Sequence, residues 1–509
     1  MRLLQLLVAL VAYGCLASWS AAATVDWQGG STSLNDASQW YVLSTNEPTD
    51  TTGETRLPTV DDGAFVRNGT TVTLDSQISA GQFRLGGMAW TGGNPGPTTL
   101  VVTADGYLNI APPLGSFLNA GHFYVGNAYA ANVVQSGGTI RTTGSANSTG
   151  YVGYGAAGTY SISGGTLSIE SPTGIGPRLN VGYGTATAEY GNGVFNQSEG
   201  LVRTWCTGTE SYVDVGRSNG STLNPTGIYN LSGGTLSVTA GATGEISSRY
   251  LAVGRDGGTG TFTQSAGLVE TGWLRLGYNG ALGKPWSNGY YTMTGGTLKV
   301  GYKFYIGRVD DSTLLPQSFG HFTVNQDAVL DCTGSFNMTS SSKVTLQIDS
   351  AADFGWTFGN WATMYGEVEV ARTGGFCPVQ NQEWLLLTAT PDPAYNVAAA
   401  PSSITPGYSL DVRDTQIYLV FAPHSGDANI DWAVNVGDLG ILAGNWNQSG
   451  KNWYQADFTG DGSVNVGDLG VLAGNWGWTA PPGGLGNVPE PASLVLLGLG
   501  GLVALRRRS

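Results

Sequence analysis

Charge is scarce in this chain: of 509 residues only 11% are Asp, Glu, Lys or Arg, and histidine occurs three times. Lys and Arg number 22 against 36 acids, a net charge of −14, so there is no basic stripe for gripping phosphates and nucleic acid is excluded as a partner. Cysteine is rarer still. Beyond Cys15 there are only Cys206, Cys332 and Cys377, spaced too widely for a zinc knuckle and too few for a disulfide framework. They read as isolated thiols, with a Cys332–Cys377 bridge left open for an oxidising compartment. The middle of the chain also lacks the Ala, Glu, Lys and Leu that long helices favour. Glycine is abundant, with 79 residues set among Thr, Ser, Val and Tyr. Short strands joined by tight turns are expected, with glycine at the positive-φ positions. The chain should be all-β for most of its length, and it is long enough for two or more domains with a large core.

The two ends read as addresses. Residues 1–23 begin with Arg2, continue through an apolar run and finish in Ala21-Ala22-Ala23. This is the layout of a signal peptide, cut by signal peptidase after Ala23. A lipid anchor on Cys15 is the alternative, but Ala12-Tyr13-Gly14 fits a lipobox poorly. At the far end Val488-Pro489-Glu490-Pro491 precedes an apolar stretch, 492–505, and then Arg506-Arg507-Arg508-Ser509. The stretch is about 14 residues, short of the roughly 20 that span a bilayer comfortably. The arginines would hold the end at the cytoplasmic face. This three-part tail resembles the PEP-CTERM sorting signal of Gram-negative bacteria. The resemblance implies a transient transmembrane helix, removed by an exosortase at Pro-Glu-Pro; a plain tail anchor is the competing reading. Together the ends imply export, a passing inner-membrane anchor, and then the cell envelope, outer surface or extracellular matrix.

Between them runs a repeat. Tyr160-Ser161-Ile162-Ser163-Gly164-Gly165-Thr166-Leu167 returns at Tyr229 and again at Tyr291. A variant alternates with it: Val133-Val134-Gln135, Phe195-Asn196-Gln197 and Phe262-Thr263-Gln264, each followed by Ser and a small turn. A second motif interleaves, as in Leu179-Asn180-Val181-Gly182 and Val213-Asp214-Val215-Gly216. The period of about 30 residues marks a stacked array. Each unit is too small to bury its apolar side alone, and stacking would bury it continuously as a parallel β-solenoid. Propellers, with longer blades, and up-and-down barrels compete. By strand parity Gln135, Gln197 and Gln264 take the inward positions held elsewhere by Ile162, Leu231 and Met293, so they should be buried and hydrogen-bonded at a corner. The residues after each Val-Gly form a column, Asn127, Tyr154, Tyr183, Arg217, Arg255, Tyr278 and Arg308. It reads either as a self-stacking turn ladder or as an edge gripping an extracellular polysaccharide.

Residues 24–115 are expected to cap the first coil, 116–338 to form the solenoid and 339–422 to close it as a small antiparallel module. The opening, with Trp27-Gln28-Gly29-Gly30 and Asp61-Asp62-Gly63, resembles autotransporter-like repeat proteins that carry PEP-CTERM tails.

The plainest chemistry lies in 425–478, where a segment occurs twice, before a linker at 479–487 and the sorting tail at 488–509. Asp427, Asn429, Asp431 and Asp438 stand at positions 1, 3, 5 and 12 of one loop, and Asp457, Thr459, Asp461 and Asp468 at those of the other. With Ala433 and Ser463 giving a backbone carbonyl at position 7, this is the oxygen set that EF-hand-type loops offer Ca²⁺. Val434 and Val464 should pair the loops, and the leucines that follow fall at helical spacing. The duplication resembles a type I dockerin, which implies a cohesin-like partner. It departs from that family in having Trp432 where a sharp turn wants glycine, a neutral Thr459, and Val436-Gly437 and Val466-Gly467 where polar pairs are usual. Asp/Asn/Gly turns that hold no ion are the alternative.

No HExxH, Ser-His-Asp order or phosphate loop appears. Asp214, Asp256, Asp310 and Asp311 are scattered and read as solvated turn acids. Two classes remain: a non-catalytic scaffold or adhesin, and a dockerin-tethered glycoside hydrolase or lyase on a β-helix. A groove with three or more clustered carboxylates would mark the second.

Overall fold

The computed structural model describes residues 23–27, 32–43, 55–66, 69–86, 96–112, 121–144, 147–172, 176–185, 191–208, 210–219, 224–240, 249–279, 286–309, 318–390 and 397–480. All but Ala23 of the stretch read as a signal peptide (1–23), and the stretch read as a sorting tail, with Pro489, Glu490, Pro491, Arg506, Arg507 and Arg508, lie outside them, as do Asp310 and Asp311.

Strand parity decides what faces inward. Tyr160 and Ile162 are buried while Ser161 between them is half-buried. Three such strands make one coil. One runs through Gly158–Ile162, Thr166–Ser171 and Arg178–Thr185, and the next through Gly193–Gln197, Leu201–Cys206 and Ser211–Asn219. Each strand lies parallel and in register on its counterpart, with Tyr160 opposite Phe195, Leu167 opposite Val202 and Val181 opposite Val215. This is a parallel β-solenoid, not a barrel or propeller.

The chain divides into two compact units, the first reaching Phe262 and including Glu270–Gly272, the second comprising Thr263–Val269 and the residues from Trp273. In the first, Thr24–Trp27 pairs antiparallel with Trp40–Leu43 and parallel with Gly63–Val66, and Trp27 meets Trp40 edge-on at 5.3 Å. Parallel coils begin at Gly63–Val66, well inside the stretch expected as a cap. Through the interior run Tyr160, Phe195, Tyr229 and Phe262, stacked with centroids 4.8, 4.7 and 4.8 Å apart. Each stacked pair is worth about 0.5–1.5 kcal/mol beyond the area it buries. The glycine of each Val-Gly turns the chain: Gly182 has φ +73°, and a Cβ there would run into the Thr226 carbonyl.

In the second unit Ser287–Met293, Ser318–Asn325, Lys343–Ile348 and Glu367–Arg372 stack in parallel. The last two belong to coils and not to the antiparallel module expected at 339–422. Among the described strands of this unit, antiparallel pairing occurs where Gln416–Phe421 lies between Gln382–Ala389 and Tyr408–Arg413. Two α-helices follow, α1 (Val436–Gly444) and α2 (Val466–Gly474). Cys206, Cys332 and Cys377 are all free, so the bridge left open does not form, and burial pushes the Cys332 thiol up to about 12.

Candidate calcium loops and the polar ladders

The duplicated segment repeats in backbone as well as in sequence. Asn435 and Asn465 cap their helices at φ −147° in both copies, each with a capping box closed by Asp438 or Asp468. Left-handed positions match at an offset of 30 residues: Gly426 with Ala456, Ile430 with Gly460, Trp432 with Gly462, and Asn447 with Gly477. The first loop thus makes the sharp turn despite its tryptophan, with Trp432 at φ +70° and Gly462 at +79°. A left-handed residue other than glycine costs roughly 1–2 kcal/mol, partly offset because glycine is floppier when unfolded. Trp432→Gly should therefore stabilise the segment by about 0.5–1 kcal/mol in chelator, read by urea unfolding. A loss of stability would show that the indole contributes more than the turn costs.

Within the loops the carboxylates face backbone amides. Asp427 accepts from Asp431 (3.2 Å) and Trp432 (3.0 Å), and Asp457 from Gly460 (2.9 Å) and Gly462 (2.8 Å). Asp438 accepts from Ala428 and Asn435, and Asp468 from Phe458 and Asn465. Asp431 and Asp461 accept from the amides of Ala433 and Ser463 two residues on, while Asn429 donates to Asp431 and Thr459 to Asp468. All four acids at positions 1 and 12 are buried. Burial pushes the Asp427 carboxyl up to about 6, and the charges of Asp438 and Asp431 add to it against the Trp432 and Asp431 amides. Among the described residues no group of three or more His, Cys, Asp or Glu side chains is placed so that it could hold a metal ion.

Val434 and Val464 do not pair with each other. Val464 bonds Asn447 and Gln448 beyond α1, and Val434 bonds Gly477 and Trp478 beyond α2, so each loop is tied to the far end of the other half. The segment is also seated on the strands before it. Trp453 and Tyr454 pack on Phe421, Arg372 lies 3.7 Å from the Tyr454 ring centroid, and His424 stacks on Trp478 at 3.6 Å.

The glutamines are buried and hydrogen-bonded, as parity required. The Gln197 amide donates to the corner carbonyls of Gly200 (3.1 Å) and Thr235 (3.0 Å), and its oxygen accepts from the Tyr229 hydroxyl of the next coil (2.6 Å). Gln135 and Gln264 do the same with Tyr160 and Tyr291. The tyrosine partners were missed, though the signal is in the sequence. Every Gln is followed one coil later by Tyr, whereas Ile162, Leu231 and Met293 are followed by Phe195, Phe262 and Phe322.

In the first unit the Tyr/Arg column packs on itself and on its neighbours. Tyr154 stacks on Tyr183 at 5.7 Å, Arg217 lies over Tyr183 at 5.7 Å, and Arg255 over Tyr250 at 4.9 Å. Tyr278 is buried under Arg275, while the side chain of Arg308 lies outside the described residues. Asp214 and Asp256 are not solvated turn acids. Asp214 is fully buried, within 3.5 Å of Arg178 and Arg217 and 3.1 Å of Arg255, and Asp256 pairs with Arg255. Burial alone would push the Asp214 carboxyl up; Arg255, Arg217 and Arg178 together outweigh it and hold it below the ordinary carboxylate range. Glu170 bridges Arg141 and Arg203 in the same manner. His122 sits edge-on to Tyr124 and Tyr151, its ring pushed down to about 4 by burial and by Arg84.

Residues 487–508 match the PEP-CTERM protein-sorting motif. The C-terminus is an envelope-sorting signal. With it the chain is an exported protein sorted at the cell envelope and a substrate for exosortase processing. No curated protein and no solved structure matches the chain. Among the described residues no helix is long and apolar enough to cross a membrane, and the apolar run at 492–505 falls outside them.

Proposed function

We propose that this PEP-CTERM protein is a non-catalytic scaffold or adhesin of the envelope or extracellular matrix, with a calcium-ordered, dockerin-like docking module at its end. One observation carries the reading. Each loop buries two carboxylates, Asp427 with Asp438 and Asp457 with Asp468, and no Lys or Arg pairs with them among the described residues. Buried negative charge without a counter-charge is costly, and a divalent cation with oxygen ligands is the economical remedy. Asp427, Asn429, Asp431 and Asp438 with the Ala433 carbonyl would hold one Ca²⁺. Asp457, Thr459, Asp461 and Asp468 with the Ser463 carbonyl would hold the other. The ion's part is structural: it neutralises the loop and fixes the helix that follows.

The module's outer face suits a protein partner such as a cohesin-like domain. Val436 and Val466 stand 73% and 74% exposed at matched positions, with Trp446 and Trp476 at the other ends of their helices. The interior Gln–Tyr ladder and the closed Arg–Asp ladder support a rigid spacer over a catalytic groove. Chelation gives the test. At calcium a hundredfold above Kd the module should gain about 2.7 kcal/mol, lost on adding EDTA and seen as an earlier unfolding transition of the exported chain. An identical melting curve with and without EDTA would refute the calcium module.

A further inference from the structure

One cleft in the second unit is used by nothing above. It encloses about 380 Å³, in the ~300–1,000 Å³ range of small-molecule sites, and is lined by Tyr302, Lys303, Thr333, Ser335, Asn360 and Trp361. Three successive coils build it at one corner. Lys303 lies opposite Ser335, and the Phe336 amide bonds the Trp361 carbonyl, so Lys303, Ser335 and Trp361 occupy consecutive rungs. Gly334, also in the lining, passes so close to the backbone of Tyr302 that a Cβ would collide with the Tyr302 carbonyl, so only glycine fits at this point of the wall.

The lining has a definite chemistry. Tyr302 is exposed and Trp361 half-buried, offering aromatic faces, while Thr333, Ser335 and Asn360 offer hydroxyl and amide groups. Lys303 is held 5.0 Å from the Tyr302 ring centroid and 5.5 Å from that of Trp273. Among the described residues no carboxylate is in ion-pair reach of it, unlike Lys343, which binds Glu367 and Glu369. Aromatic faces suit the C–H face of a pyranose, the polar groups suit its hydroxyl edge, and an uncompensated ammonium suits a carboxylate. We infer that this corner is a subsite for an acidic, uronate-type saccharide. The chain's own negative charge opposes such a ligand only weakly, because salt screens charges beyond about 8 Å.

The inference deepens the scaffold reading by naming a ligand, and it is separable from the calcium loops because none of its residues lies in them. The test is calorimetry of the exported chain in EDTA with trigalacturonate, and with a neutral trisaccharide, cellotriose, as the control. Trigalacturonate should bind, and Lys303→Gln and Tyr302→Ala should each weaken it about tenfold. Lys303→Arg should retain it, cellotriose should bind about tenfold more weakly, and all variants should melt like the parent. Absence of trigalacturonate binding, equal binding of cellotriose, or binding indifferent to both substitutions would overturn the assignment.

Discussion

Asp214→Ala is expected to destabilise the first unit by about 3–5 kcal/mol, the cost of stranding buried charge when one partner of a buried network is removed. Three guanidiniums, Arg178, Arg217 and Arg255, would be left facing one another in a site from which water is excluded. The measurement is urea unfolding, followed by a change in tyrosine fluorescence. The same network sets an acid limit. Because the folded carboxyl lies below its unfolded value of about 3.9, its contribution is complete above that pH and disappears as pH falls through the lower folded value. The parent should therefore keep this contribution down to about pH 4 and lose it below, whereas Asp214→Ala should lack that part of the acid transition. A variant as stable as the parent would mean that the arginines find other partners or water.

Gln197→Leu gives the second large effect, through a group that the substitution leaves in place. The Tyr229 hydroxyl is buried, and without the glutamine oxygen it has no partner, at a cost of about 1–3 kcal/mol. Tyr229→Phe in the same chain should return most of that loss, because Leu followed by Phe is the pair that the neighbouring coil already uses at Leu231 and Phe262. A double-mutant cycle by chemical unfolding should give a coupling of about 1–3 kcal/mol. Simple additivity would show that the two side chains do not depend on each other.

Much of this architecture is legible in the residues. Alternation in Tyr160-Ser161-Ile162 and its returns assigns the inner face, and the glycine after each valine marks the corner, because a solenoid repeats the same contacts coil after coil. Inward Gln135, Gln197 and Gln264 follow from the same parity. What parity does not carry is the partner one coil away, which depends on register across about 30 residues; the alternation of Gln then Tyr signals Tyr229 only once that register is known. Asp214 misleads for a related reason. Beside Val213 and Val215 it reads as an outward acid, but the chain beyond Gly216 bends back and lays Arg217 over it. The extent of the coils is not legible at either end, since strands at 63–66 and 343–348 look alike in sequence whether they pair parallel or antiparallel. The repeat of the loops at 427–438 and 457–468 is legible because the spacing of Asp, Asn and Thr along each is local. Their cross-tie through Val434 and Val464 is not, because it depends on how the two halves wrap.

Calcium calorimetry on the exported chain tests the central claim most directly. The account predicts two binding events per chain, with Asp431→Ala removing one and Asp461→Ala the other while the solenoid unfolds as before. Heat of binding that is absent, or that persists with both substitutions combined, would contradict it.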